Sequence, residues 1–232
     1  MIETILRAEK VVDMKWATRA ELDRMFQADC IVPTFMLYRK ILKKERRILL
    51  SRRVMMFKNI NYLKKGNEKQ KRAYEAIEVL GVMEQLSEYD PTLCGTLPIE
   101  IDIADSDLDI IMEVHDLQQF EKAITELYHD KENFQIKRRI MRGIPVVKAN
   151  FLFSGFEFEL FGQPQPVEKQ NAYLHMLIEH ALIMESPHVK ADVITLKQQG
   201  FKTEAAFCKV LGLDFEDPYE SLLTYGKKRG FI

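Results

Sequence analysis

Between Phe134 and Phe161 the sequence has few folds open to it. Three strand-length runs, 134–141, 144–153 and 156–161, are separated only by Arg142-Gly143 and Ser154-Gly155. A two-residue joint ending in glycine suits a tight hairpin turn, so the three runs are expected to lie antiparallel and adjacent. The last run, Phe156-Glu157-Phe158-Glu159-Leu160-Phe161, alternates acids with large hydrophobes. Strand side chains point to opposite faces with period two. Phe156, Phe158 and Leu160 therefore share one face, and Glu157 and Glu159 share the other. A chain containing this meander builds a sheet with one core face and one charged face. A solvent-facing edge strand would carry the acids equally well, so the alternation alone does not make a site.

Helical signals surround the meander. Asn67 followed by Gln70 forms a capping-box start, and Gly81 closes a helix containing Ala73, Ile77 and Leu80. Thr92-Leu93-Cys94 is a short apolar stretch, and Leu108–Met112 is a largely buried strand. Asp116 with Gln119 starts a helix that carries Phe120, Ile124 and Leu127 on one face. After the meander come helical patterns at 167–185, 191–199, 204–211 and 218–223. The expected class is α+β, with domains at 1–56 (a helical N-terminal extension), 57–165 (a small mixed sheet flanked by helices) and 166–232 (a C-terminal helical subdomain).

Charge is unevenly divided. The 232 residues carry 34 Lys and Arg and 35 Asp and Glu, a formal net charge of −1. Residues 1–65 hold 16 basic against 7 acidic groups, which leaves −10 on the remaining residues. The densest basic stretch, 39–58, has nine basic residues and one acid, Glu45, with apolar residues near helical spacing. Nucleic-acid phosphate, an anionic membrane surface or a partner groove would suit such a face, and so would plain solvent. Met55 and Met56 sit where the composition changes, which marks them as an alternative translation start. No apolar run approaches the roughly 20 residues needed to span a bilayer. The three cysteines, Cys30, Cys94 and Cys208, are too few and too scattered for a disulfide framework. A cytoplasmic location is expected.

Chemistry concentrates in Gly95-Thr96 and Ser106-Asp107-Leu108-Asp109-Ile110. Asp107 and Asp109, two apart at the start of a strand, project from one face. Adjacent carboxylates repel, and a divalent cation with a preference for hard oxygen ligands, Mg²⁺ or Mn²⁺ in its place, removes the conflict. Gly95 lets a backbone N–H approach a phosphate, and Thr96 adds a hydroxyl. Glu157 or Glu159 would supply a third carboxylate.

This pattern resembles the polymerase-beta-type nucleotidyltransferase superfamily: Gly-Ser/Thr, about ten residues on an Asp-x-Asp, then an acid on a later strand. The likeness is closest at Ile144-Pro145-Val146-Val147-Lys148 and Gly155-Phe156-Glu157-Phe158-Glu159-Leu160, which are similar to the corresponding strands of poly(A)-polymerase-like members. Residues 57–232 also look like an uncharacterised bacterial domain family assigned to that superfamily. The resemblance implies a nucleotidyltransferase fold, with Asp107, Asp109 and Glu159 as catalytic metal ligands and Glu157 as runner-up for the third place. It implies contacts from Gly95, Thr96, Ser106 and Lys148 to an NTP substrate, and transfer of NMP to a hydroxyl acceptor. Arg138, Arg139 and Arg142 join Lys148 as candidates for neutralising phosphate. The turn after Gly-Thr, Leu97–Asp102, and Glu in place of the commoner Asp at the third acid depart from the pattern. The −10 on the body of the chain repels nucleic acid and favours an acceptor of small-molecule size over RNA or a protein hydroxyl. The alternative is an inactive nucleotide- or nucleic-acid-binding module that works through residues 39–58.

Other motifs fail on spacing. Asp105, Asp107 and Asp109 match the first positions of a calcium loop, but Ile110 stands where that loop needs glycine. His175 and Glu179-His180 are one residue too far apart for an inverted zinc motif, which leaves both histidines as expected helix-surface residues or as supports behind the groups that touch substrate.

Overall fold

The Asn67 side chain accepts from the Gln70 backbone N–H while the Gln70 side chain accepts from the Asn67 N–H, and this reciprocal cap opens α1 (Glu68–Leu80). The computed structural model describes residues 50–51 and 54–232. Most of the expected basic helix at 39–58, and nearly all of the extension 1–56, lie outside the described residues.

Gly81 ends α1 at φ 70°, and α2 (Val82–Gln85) follows at once. Strands β1 (Thr92–Cys94) and β2 (Leu108–Glu113) come next. The Asp116 carboxylate accepts from the N–H groups of Gln118 and Gln119 and so caps α3 (Leu117–Tyr128). The meander is β3 (Glu132–Met141), β4 (Ile144–Phe153) and β5 (Phe156–Gln163). Both of its joints have two residues at positive φ, Arg142 and Gly143, then Ser154 and Gly155. That is the type I′ geometry whose twist matches the strands on either side. Four helices complete the chain: α4 (Asn171–Glu185), α5 (His188–Gln198), α6 (Thr203–Leu211) and α7 (Pro218–Arg229). Short 3₁₀ turns lie at Ile60–Lys65, Ser87–Tyr89 and Val167–Lys169. Among the described residues no helix is long and apolar enough to cross a membrane.

The five strands form one mixed sheet in the order β1-β2-β5-β4-β3. All neighbours are antiparallel except β2 and β5, which are parallel. The expected α+β class, a mixed sheet flanked by helices, is observed.

The two faces of the sheet have different fates. Ile110, Met112, Ala149, Phe151, Phe158 and Leu160 point to one face and form a buried core with Ala73, Ile77 and Leu80 of α1 and Phe120, Ile124 and Tyr128 of α3. The rings of Tyr128, Phe151 and Phe158 stack in sequence, with centroids 5.1 and 5.4 Å apart. The opposite face is covered only in part. Cys94, Ile111 and Phe161 pack into a second apolar cluster built by α4–α7. The remainder, across β5, β4 and β3, stays open.

Local structure departs from the sequence reading at two points. The helix expected from Val167 is broken at Gln170, whose backbone is extended. Its buried side-chain amide donates to the Met112 carbonyl (3.0 Å) and the Gln165 carbonyl (2.8 Å), bonds that fix the chain between the end of β2 and the start of α4. The last helix runs on past Leu223 to Arg229. Gly226 lies inside it, where α7 crosses α4 so closely that a Cβ would come within 2.4 Å of Ile178.

Candidate active site

Register brings the acids together. Asp109 pairs with Glu159 across the parallel β2–β5 ladder, Glu159 pairs with Asn150 on β4, and Asn150 pairs with Gln135 on β3. Cys94 pairs with Asp109 on the other side. One row of side chains therefore crosses the sheet on its partly open face, apolar at the β1 end and polar from Asp109 onward. Asp107 lies just before β2, on the same side as Asp109.

Asp107, Asp109 and Glu159 each offer a carboxylate oxygen, and these oxygens all lie within 4.8 Å of one another. All three side chains are half-buried. Burial first, and then the charges of Asp107 and Glu159, push the Asp109 carboxyl up to about 8, while Lys148 opposes them. Three oxygens crowded this closely, with their charges in conflict, match the donor set that a hard divalent cation takes. Lys148 projects from β4, and its Nζ lies 2.5 Å from Glu159 Oε2.

Gly95 follows β1 at φ 79°, and a Cβ there would lie 2.1 Å from Asp109 Oδ2. Glycine is thus required twice at this position, by backbone conformation and by the carboxylate beside it. The segment from Thr96 to Ser106 is held from several sides. Thr96 Oγ1 donates to Ser106 Oγ (3.3 Å), which accepts from the Ile103 N–H (2.9 Å). Lys69 of α1 donates to the Ile103 carbonyl (2.7 Å) and pairs with Asp102 (2.9 Å). Lys197 of α5, almost fully buried, donates to the Ile101 carbonyl (2.8 Å).

Glu157 is exposed, one register step away from the triad, and its Oε1 accepts from Asn150 Nδ2 (3.3 Å). The three arginines proposed for phosphate have different surroundings. Arg138 pairs with Glu121 of α3, on the core side of the sheet. Arg142, at the hairpin tip, pairs with Asp217 (3.3 Å) and Glu220 (3.0 Å) at the start of α7 and lies over the Tyr219 ring. Arg139 is an exposed residue of β3, opposite Val146. Of the four candidate cations only Lys148 is ion-paired with a triad acid.

A groove of about 460 Å³ opens beside the triad. Asp107, Lys148 and Glu159 form its near wall, and Asn133, Gln135, Asn150 and Glu157 form its far wall. Asn133 stands at a register irregularity between Glu132 and Gln135 with φ 58°.

A second set of charged groups lies among the C-terminal helices. His175, expected at the helix surface, is buried; its Nε2 donates to the Tyr219 carbonyl (3.0 Å), and its Nδ1 is 3.5 Å from Glu204 Oε1. Burial works against its charge, but the bond to Glu204 and the charge of Glu179 raise its pKa overall. Burial pushes Glu179 up to about 8, with the charge of Glu204 adding to the effect. Lys197 is lowered by burial, against the pull of Glu179 and Asp102. No motif announces this set, because its members come from α4, α5 and α6 and meet only in the fold. The one available signal is Glu179 within an otherwise apolar helical run.

Residues 75–225 match the family described as a domain of unknown function, DUF4269. No curated protein matches the chain. Among solved structures, the chain is similar to a cytoplasmic RNA terminal U-transferase, at 17% identity over 56% of this chain and 41% of that one, with a TM-score of 0.41. It is also similar to the GLD-2/RNP-8 complex, at 12% identity over 65% of this chain and 60% of that one (TM-score 0.44). A third likeness is to the polymerase core of TRAMP, an RNA surveillance complex, at 11% identity over 68% and 49% (TM-score 0.43). The chain thus spans about two-fifths to three-fifths of the length of these structures.

Proposed function

The chain belongs to the DUF4269 family, and from that premise we propose that it is a divalent-metal-dependent nucleotidyltransferase acting in the cytoplasm. The observation that carries this reading is the triad of Asp107, Asp109 and Glu159, assembled by the β2–β5 register beside a glycine that admits no side chain. Asp107 and Asp109 would hold Mg²⁺ or Mn²⁺ against the triphosphate of an NTP, and Glu159 would complete a second metal position. The metal would supply charge neutralisation at the phosphates. Gly95, Thr96 and Ser106 would position the phosphates, and Lys148 would leave Glu159 for a phosphate oxygen once a cation is bound.

In the transfer, the acceptor hydroxyl oxygen bonds to the α-phosphorus. The bond from that phosphorus to the α–β bridging oxygen breaks, and pyrophosphate leaves with the electron pair. The hydroxyl proton passes to a carboxylate of the site, a role we assign to Glu159. The acceptor is of small-molecule size, in keeping with the acidic body of the chain. Residues 57–165 are assigned as the catalytic domain and 166–232 as its helical subdomain.

The test is pyrophosphate release from each of the four NTPs with Mg²⁺ or Mn²⁺, with adducts identified by mass spectrometry. Release that is lost in Asp107→Ala and in Asp109→Ala is expected. Turnover by the triple carboxylate variant at the wild-type rate would sink the proposal.

One contact favours a second reading, a nucleotide- or nucleic-acid-binding module without turnover. Lys148 already neutralises Glu159 as a metal would. Salt-sensitive RNA binding that disappears on deletion of residues 1–56, with no pyrophosphate released, is the result this reading requires.

A further inference from the structure

We infer that the groove over β3, β4 and β5 binds the acceptor, and that the acceptor is a small hydroxyl compound bearing an ammonium group and no phosphate. The inference rests on the nucleotidyl transfer proposed above and names the compound that receives the nucleotide. The groove shares its near wall with the acids, so a hydroxyl bound there lies next to the reacting phosphate. Its volume of about 460 Å³ is that of a small-molecule site.

The far wall sets the chemistry. Asn133, Gln135, Asn150 and Glu157 come from three strands, and none of them belongs to the triad. The irregularity in β3 places an extra residue at the groove, and Asn133 occupies it in the left-handed region that asparagine tolerates well. Asn150 Nδ2 donates to one oxygen of Glu157, which leaves Glu157 Oε2 and Asn150 Oδ1 as further acceptors on two residues that line the groove. That pair takes N–H and O–H donors, while Gln135, whose Oε1 accepts from Lys137, keeps its amide N–H groups for a hydroxyl oxygen.

Among the described residues, Lys148 is the one cation that lines the groove, and it is already engaged; Arg139, exposed on the same face of β3, lies outside that lining. Lys148 is on Glu159, and Lys137 donates to Gln135 Oε1 (3.1 Å). Arg138 and Arg142 are paired elsewhere with Glu121 and with Asp217 and Glu220. Among the described residues no arginine lines the groove, so a phosphorylated acceptor would meet Glu157 with no guanidinium to receive it. A nucleic-acid strand would need a basic track that continues beyond the groove, together with exposed rings for its bases.

The experiment is ligand-observed NMR on the full chain without NTP, using an equimolar pool of glucosamine, glucose and glucose 6-phosphate, with a short oligouridylate as competitor. Glucosamine is expected to give the strongest saturation transfer. The signal should weaken about tenfold in Glu157→Gln, the loss of one charge-assisted hydrogen bond. Asn133→Gly, which keeps the backbone conformation, should weaken it less. A strongest signal from glucose 6-phosphate, displacement by the oligonucleotide, no binding of any pool member, or an unchanged signal in Glu157→Gln would each overturn the inference. Because NTP is absent, the two readings fail separately. Glucosamine binding that depends on Glu157, without pyrophosphate release in the earlier assay, removes the transfer reading and keeps the groove. Pyrophosphate release with the reverse ranking does the opposite.

Discussion

Two acid clusters lie in this molecule, and they handle the same electrostatic difficulty in opposite ways. Asp107, Asp109 and Glu159 sit on a half-covered sheet face beside an open groove, with a single lysine to offset three carboxylates. Glu179 and Glu204 sit among α4, α5 and α6, with His175 and Lys197 enclosed beside them. The helical cluster carries its own counter-charges, so its electrostatics are met without a ligand. The sheet cluster is short of positive charge and open to solvent on one side. A set of buried acids suggests a ligand when the protein has not already balanced it.

The sharpest way to break the contrast is to remove one acid from each cluster. Asp109→Asn keeps shape and removes charge, and it should lower pyrophosphate release by about a thousandfold, as expected when several kcal/mol of metal-assisted stabilisation is lost. The folded state should be as stable as the wild type or more so, as read from urea denaturation. A variant that kept its rate would place the chemistry elsewhere.

Gly95→Ala should come next in size. The added methyl would meet Asp109 Oδ2 in a backbone conformation that disfavours alanine, so the carboxylate must move. Activity should fall roughly a hundredfold, the effect of about an ångström of misplacement. Stability should fall by about 1–2 kcal/mol. Loss of stability without loss of activity would mean that the position of Asp109 is not critical.

Glu179→Gln examines the other cluster through pH. The Glu179 carboxyl is raised to about 8 in the folded chain, so the folded state holds its proton where the unfolded state has released it. The stability associated with that proton is present below the ordinary glutamate range and is lost as pH rises through about 8. The wild-type melting temperature should therefore fall between about pH 5 and 8 more steeply than that of Glu179→Gln, with the two curves meeting at low pH. Parallel curves would mean that His175 and Lys197 keep Glu179 charged throughout.

The smallest effect is expected from Arg142→Ala, which cuts the hairpin tip from Asp217 and Glu220. These pairs are about half exposed, so the loss should be about 1 kcal/mol or less and should shrink in high salt. A large loss would show that the hairpin is anchored mainly through that end.

The meander was legible because its signals are local: Arg142-Gly143 and Ser154-Gly155 dictate their turns, and Glu157 and Glu159 alternate with Phe156 and Phe158. Strand alternation alone could not choose between Glu157 and Glu159 as the acid beside the Asp pair. That choice depends on the alignment of β5 with β2, which lies outside either strand's own sequence. The fate of Arg138 and Arg142 was illegible for a similar reason. Their partners, Glu121, Asp217 and Glu220, are distant in sequence. Gln170 reads as a good helix former, and its side-chain bonds to the distant Met112 carbonyl and to the Gln165 carbonyl explain why it leaves the helix. The burial of His175 needed α7 and the Tyr219 carbonyl to be in place.

The parallel ladder between β2 and β5 also bears on the order of folding. It joins residues about fifty positions apart, whereas β3, β4 and β5 are linked by two-residue turns. Local pairings form with little loss of chain entropy and distant ones with more, so the meander is expected to form first and β2 to dock later. Asp107 and Asp109 then meet Glu159 only after the folding barrier has been passed. Neutralising one of these acids should in consequence leave the folding rate almost unchanged and slow unfolding instead, so that the repulsion within the triad governs how long the native state lasts and not how fast it is reached.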